Sequence, residues 1–82
     1  MRPQAVRALI ADHLGVGLEL VRDDAHLAAE LGADSLDMVE LAMRFEQELD
    51  IAIGDEESER CATVGDAVML IQAKLARGKA AA

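Results

Sequence analysis

Ser35 stands in the run Leu31-Gly32-Ala33-Asp34-Ser35-Leu36, and a serine in that setting has two chemistries open to it. As a nucleophile it needs a base. Neither His13 nor His26 lies near it in sequence, and residues 34–59 hold ten acids against one base, Arg44. As the anchor of a phosphate ester it needs only an exposed place at a helix start, where first-turn N–H groups point outward and the macrodipole is positive. Asp34 opposes a neighbouring phosphate electrostatically, so the site is a compromise. A serine hydrolase centred on Ser35 therefore lacks a triad, and no catalytic residue is expected. The plainer alternative is a serine that does no more than open a helix.

The other reactive side chains offer less. Cys61, with Arg60 its one basic neighbour, reads as a small, partly buried hydrophobe. Both histidines read as surface or packing residues rather than ligands. Around Asp50 and Asp55 the EF-hand pattern fails, because Ala52 and Gly54 fall where oxygen ligands belong, and no metal site is expected beyond weak divalent-cation binding to the acidic face.

Something must hold Ser35 at a helix start, and the apolar spacing supplies it. Val6, Leu9, Ile10 and Leu14 recur at helical intervals over residues 5–14, with Pro3 near the start and Gly15 as a stop. Residues 15–33 show no sustained period and predict a long loop, pinned to the core by Leu18, Leu20, Val21, Leu27 and Leu31. Asp34 is placed to cap a second helix running to about Leu49, and Asp37 adds negative charge to its first turn. A short helical turn follows over residues 56–60. Thr63, with Asp66 three residues on, resembles a capping box opening a last helix whose buried stripe is Val64, Val68, Ile71 and Leu75. Gly78 is read as its end.

The second helix carries the less ordinary signal. Advancing about 100° per residue, Met38, Leu41, Ala42, Phe45 and Leu49 make one stripe, while Leu36, Val39 and Met43 make another on the opposite side. Either the helix is buried on both sides, or the second stripe is an apolar docking strip. Asp37, Glu40, Glu46 and Asp50 lie around that strip, in a segment whose charge is −9 in a chain whose total is −8.

Composition narrows the class. Eighty-two residues suit one domain with a modest core, and 52% hydrophobic residues with Phe45 as the sole aromatic predict a helical core of Leu, Ile, Val, Met and Ala. Sixteen acids against eight lysines and arginines repel phosphate backbones and anionic lipid alike, which disfavours nucleic acid and membrane and favours basic protein partners. One cysteine makes no internal disulfide, and the N-terminus shows no basic-then-apolar leader pattern, so a cytoplasmic monomer is expected.

Residues 31–53, LGADSLDMVELAMRFEQELDIAI, resemble the central stretch of bacterial acyl carrier proteins. The resemblance runs in step from Val6-Arg7 through LGV at residues 14–16 and DSL at 34–36 to DEESER at 55–60 and Thr63-Val64. It implies an all-α four-helix bundle with a long loop between the first two helices and a short third helix, over residues 1–78, with a frayed tail over 79–82. It further implies 4′-phosphopantetheine joined covalently to Ser35 beside Asp34 by a phosphopantetheinyl transferase, with coenzyme A as donor. The carrier would then present acyl thioesters to ketosynthase, acyl-transfer and related enzymes of fatty-acid or lipid synthesis, whose basic patches dock on Leu36, Asp37, Val39, Glu40, Met43 and Glu46, with Asp55 and Glu59 as a second edge. Carried over in the same way, the acyl chain would tuck among Leu41, Phe45, Val68 and Ile71.

Some positions depart from that pattern. Gly54 replaces a common proline, Arg44 puts a base in the recognition helix, and Leu70 replaces a frequent tyrosine. These departures leave open a carrier dedicated to polyketide, aryl or aminoacyl units, and an unmodified helical interaction module also remains in play.

Overall fold

The computed structural model describes residues 2–77, and four helices make up its regular structure: α1 Pro3–Leu14, α2 Ser35–Leu49, α3 Asp55–Glu59 and α4 Val64–Arg77. The fold is all-α, as expected. Gly78 and the tail over 79–82 lie outside the described residues.

Each helix begins and ends for a local reason. α1 starts two residues earlier than its apolar spacing implies, because Pro3 occupies the first turn, where its preset φ suits the helix and its missing N–H costs nothing. Gly15 closes it in the left-handed region at φ 69, donating its N–H to Ala11 O. At the start of α2 the Asp37 N–H donates to Asp34 Oδ1 at 2.8 Å, and the Asp34 N–H donates back to Asp37 Oδ2 at 3.1 Å. Asp37 therefore does more than load the dipole with charge, since it is half of a reciprocal cap. The helix ends at Asp50, a non-glycine residue at φ 56, in a conformation that aspartate tolerates better than most.

The expected box at α4 is also present. The Asp66 N–H donates to Thr63 Oγ1 at 3.2 Å, while Asp66 Oδ2 accepts from the N–H groups of Thr63 and Ala62. Those bonds, from Thr63 first and then Ala62, hold the Asp66 carboxyl below its ordinary pKa.

Helix α1 packs on α4 and α2, and α3 lies on α2. Val6 and Ile10, Leu41 and Phe45, and Val64, Val68 and Ile71 meet at the centre, with Leu75 partly buried beside them. The connection over residues 15–33 is a structural member in its own right. Leu27 is among the most deeply buried side chains, and Val21, Leu31 and Ala33 are buried with it. Its backbone is tied to the start of α4 by Leu27 N–H to Ala62 O, Val64 N–H to Ala25 O and Gly65 N–H to Asp23 O, each within 3.0 Å. Arg7 clamps the same loop to α1 through Asp23 Oδ1 at 2.6 Å.

Two of the five expected anchors do not serve as such. Leu18 and Leu20 are exposed, because residues 18–20 coil into a single 3₁₀ turn that buries none of its own side chains, and Val21 just after it turns inward instead. Leu27→Ala is therefore expected to lower the unfolding free energy by about 2–5 kcal/mol. Leu18→Ala and Leu20→Ala should stay within about 0.5 kcal/mol of the parent in the same urea titration. Equal losses at all three positions would show that the turn packs inward.

Candidate functional site

Ser35 is the first residue of α2 and is exposed, so the cap that starts the helix also presents the hydroxyl. Among the described residues no hydrogen bond joins Ser35 to a histidine, although His26 lines the same cleft. Ser35 and Asp34 instead stand at the rim of a cleft of about 460 Å³ between the loop, α2 and α3. Asp55 and Glu59 of α3 line the same cleft, so the second acidic edge and Ser35 border one space.

Adjoining the cleft is a small apolar pocket of about 30 Å³. Leu41, Phe45 and Ile71 line it, while Val68 is buried but lies outside the lining. Met38, Ser58 and Cys61 border both spaces and form the threshold between them. Sequence reasoning missed this role for all three. Ser58 is the one buried polar side chain among the described residues, and it is satisfied by donating from Oγ to Asp55 O at 3.0 Å. A serine inside an otherwise acidic turn was the available signal. Leu70, one of the departures from the family pattern, also lines the inner cavity.

The two-faced reading of α2 resolves in favour of an exposed strip. Leu36, Val39 and Met43 are 62%, 44% and 49% exposed, whereas Leu41 and Phe45 are buried. Around the strip the acids differ in freedom. Glu40 is exposed, Asp37 is held in the cap, and Glu46 is half-buried, with Oε2 accepting the Ile53 N–H at 2.8 Å. Glu46 thereby fixes the α2–α3 connection as well as adding charge. Arg44 does not neutralise the strip, because it folds back on α1, 3.3 Å from Asp12 Oδ2 and 3.4 Å from His13 Nδ1.

Cys61 is partly buried, as its sequence context suggested, with Sγ 3.5 Å from Glu57 O. Burial pushes its thiol pKa up, and the charges of Asp66 and Glu57 push it further. A raised pKa leaves less thiolate at a given pH. Native Cys61 is therefore expected to react with iodoacetamide at pH 8 at least about tenfold more slowly than the urea-unfolded chain. Added salt should recover only the smaller, electrostatic part of the difference. Equal rates in the folded and unfolded chain would mean that the threshold is open to solvent.

Comparison with known proteins adds two findings. Residues 4–71 match the family model described as "Phosphopantetheine attachment site". The acyl carrier protein of Phenylobacterium zucineum (strain HLK1) is 49% identical over 72 residues, which cover 88% of this chain and 91% of that protein. No helix among the described residues is long and apolar enough to cross a membrane.

Proposed function

The chain belongs to the phosphopantetheine-binding acyl carrier protein family, and from that premise we propose that Ser35 bears the arm and that α2 presents its cargo to enzymes of fatty-acid or related lipid synthesis. It is a carrier and not an enzyme. The observation that carries the reading is the coincidence, at one end of α2, of an exposed Ser35, a cleft leading to an apolar cavity, and an exposed apolar strip with an acidic rim.

The residues present fit 4′-phosphopantetheine. Its terminal thiol supplies the thioester chemistry that the side chains lack. Ser35 Oγ offers the ester oxygen in the open, and a separate phosphopantetheinyl transferase acting with coenzyme A supplies the base that takes its proton. Asp34 fixes the backbone around that oxygen by capping α2. The cleft of about 460 Å³, lined by Met38 and Val39 beside Ser35, offers room for the arm, and it shares Met38, Ser58 and Cys61 with the apolar pocket lined by Leu41, Phe45 and Ile71.

Docking follows from charge and shape together. Leu36, Val39 and Met43 give a partner a dry contact, while Glu40, Asp37 and Glu46, with Asp55 and Glu59 beyond the cleft, steer a basic patch onto it. Such partners are the transferase and then ketosynthase and acyl-transfer enzymes. A half-buried lone thiol suits a reducing cytoplasm, where we place the protein.

Ser35→Ala is expected to fold like the parent and to gain no mass when incubated with a broad-specificity phosphopantetheinyl transferase and coenzyme A, since alanine is well accepted in a first turn. The parent should gain one arm. Modification of the alanine variant at another residue would sink the assignment. A parent that stays unmodified would favour a helical interaction module, and the acyl group found on the carrier from its native cell separates lipid synthesis from polyketide, aryl or aminoacyl duty.

Glu40→Lys should slow association with these partner enzymes, with little change in dissociation. The defect should shrink as salt rises, because rim charges act through screened long-range attraction. A loss of the same size at every salt concentration would assign Glu40 a direct contact instead.

A further inference from the structure

His13 is absorbed by neither the arm nor the strip, yet it stands beside two acids of the strip's rim. His13 near the end of α1 meets Asp37 and Glu40 of α2, and one potential ligand atom from each lies within 4.8 Å of the other two. His13 Nε2 stands 3.7 Å from Glu40 Oε1, and the imidazole is only 14% exposed. We propose that His13, Asp37 and Glu40 form a binding site for a borderline divalent transition ion, with Zn²⁺ the first choice.

Three features support the site. Ligand atoms held at about 2.1 Å around a tetrahedral ion stand roughly 3.4 Å apart, so the 3.7 Å between His13 and Glu40 needs a small closure and the pairs with Asp37, within 4.8 Å, a side-chain adjustment of up to about 1.4 Å. The donor set is one imidazole and two carboxylates, drawn from two helices that already pack together. An imidazole nitrogen sets the class of ion, because magnesium and calcium take oxygen ligands whereas zinc takes nitrogen and oxygen together. Asp37 is also oriented in advance, since the Asp34 N–H holds one of its oxygens at 3.1 Å, as outer hydrogen bonds orient ligands in metal centres.

Arg44 works against the ion. Its Nη1 lies 3.4 Å from His13 Nδ1, the nitrogen that must keep its proton when Nε2 binds metal. Asp12, already 3.3 Å from the same Nη1, is the partner to which Arg44 turns. Removing this cation should therefore tighten binding, an effect opposite in sign to the loss of a ligand. An ion here would also take Asp37 and Glu40 from the acidic rim, loosening partner docking. That consequence rests on the docking reading, whereas the site itself does not.

Calorimetric titration of the untagged, isolated carrier with zinc chloride tests the site apart from any partner. One ion per chain is expected, with binding weakened at least about tenfold in His13→Ala and in Glu40→Gln and tightened in Arg44→Gln. The exposed position of Glu40 keeps the test open should His13→Ala unfold. His26→Ala and Cys61→Ser should bind like the parent, and excess magnesium chloride should not displace the zinc. Unchanged binding in a folded His13→Ala variant, loss in either control, or displacement by magnesium would overturn the proposal.

Discussion

Where α2 begins is decided by two hydrogen bonds between Asp34 and Asp37, and most of the surface follows from that choice. A cap sets the first helical residue, and each later residue then takes its direction at about 100° per step. With Ser35 first, Leu41 and Phe45 point into the core, and Leu36, Val39 and Met43 point into solvent. Starting the helix one residue later would alter the exposure of Ser35. The reciprocal form suits a short, exposed start, because each carboxylate satisfies a backbone N–H that would otherwise have water alone.

The exposed strip has a thermodynamic cost. A fully buried Leu, Val or Met side chain stabilises a fold by about 1.5–3 kcal/mol, and these three forgo much of that. The fold makes up the difference elsewhere by recruiting the long connection. Val21, Leu27 and Leu31 supply from the loop the apolar volume that α2 withholds, and three backbone bonds from residues 62–65 hold the loop against α4. Acids around the strip make like-charged faces repel one another, and on the proposed docking reading they would still admit a basic partner.

The legible parts of the molecule are those set by neighbours along the chain. Asp34 as a cap, the Thr63 and Asp66 box, and the two stripes of α2 all depend on residues three or four apart, and each was readable from type and spacing. The start of α1 at Pro3 departed slightly, because a proline opens a helix whether or not an apolar residue follows at once. Leu18 and Leu20 were misread because apolarity alone does not say which residue of a tight turn faces inward. The threshold of Met38, Ser58 and Cys61, the bond from the Ile53 N–H to Glu46 and the meeting of His13 with α2 depend on how loop and helices close in space. No local pattern encodes those distances. Val68 illustrates the limit, since helical spacing placed it correctly in the core but did not distinguish the inner cavity from the packing beside it.

The two spaces below Ser35 bear on how such a carrier holds cargo. An apolar cavity that takes a guest the size of benzene measures roughly 150 Å³, whereas the inner cavity here is about 30 Å³. A chain of several carbons entering there would have no ready-made room and would have to part the side chains between α2, α3 and α4. The lining suits that demand, for Phe45 is its one aromatic ring and Met38, Leu70 and Ile53 rearrange more readily than fused or stacked rings would. Helix α3 has a single turn, and Lys74 Nζ to Glu57 Oε2 at 2.8 Å ties it to α4 through long side chains that follow a small displacement. Opening costs packing, and burial of the guest offsets it, so retention should grow with the apolar surface of the guest until the helices can part no further. Cargo length would then be limited by how far α3 yields, a property of the bundle as a whole.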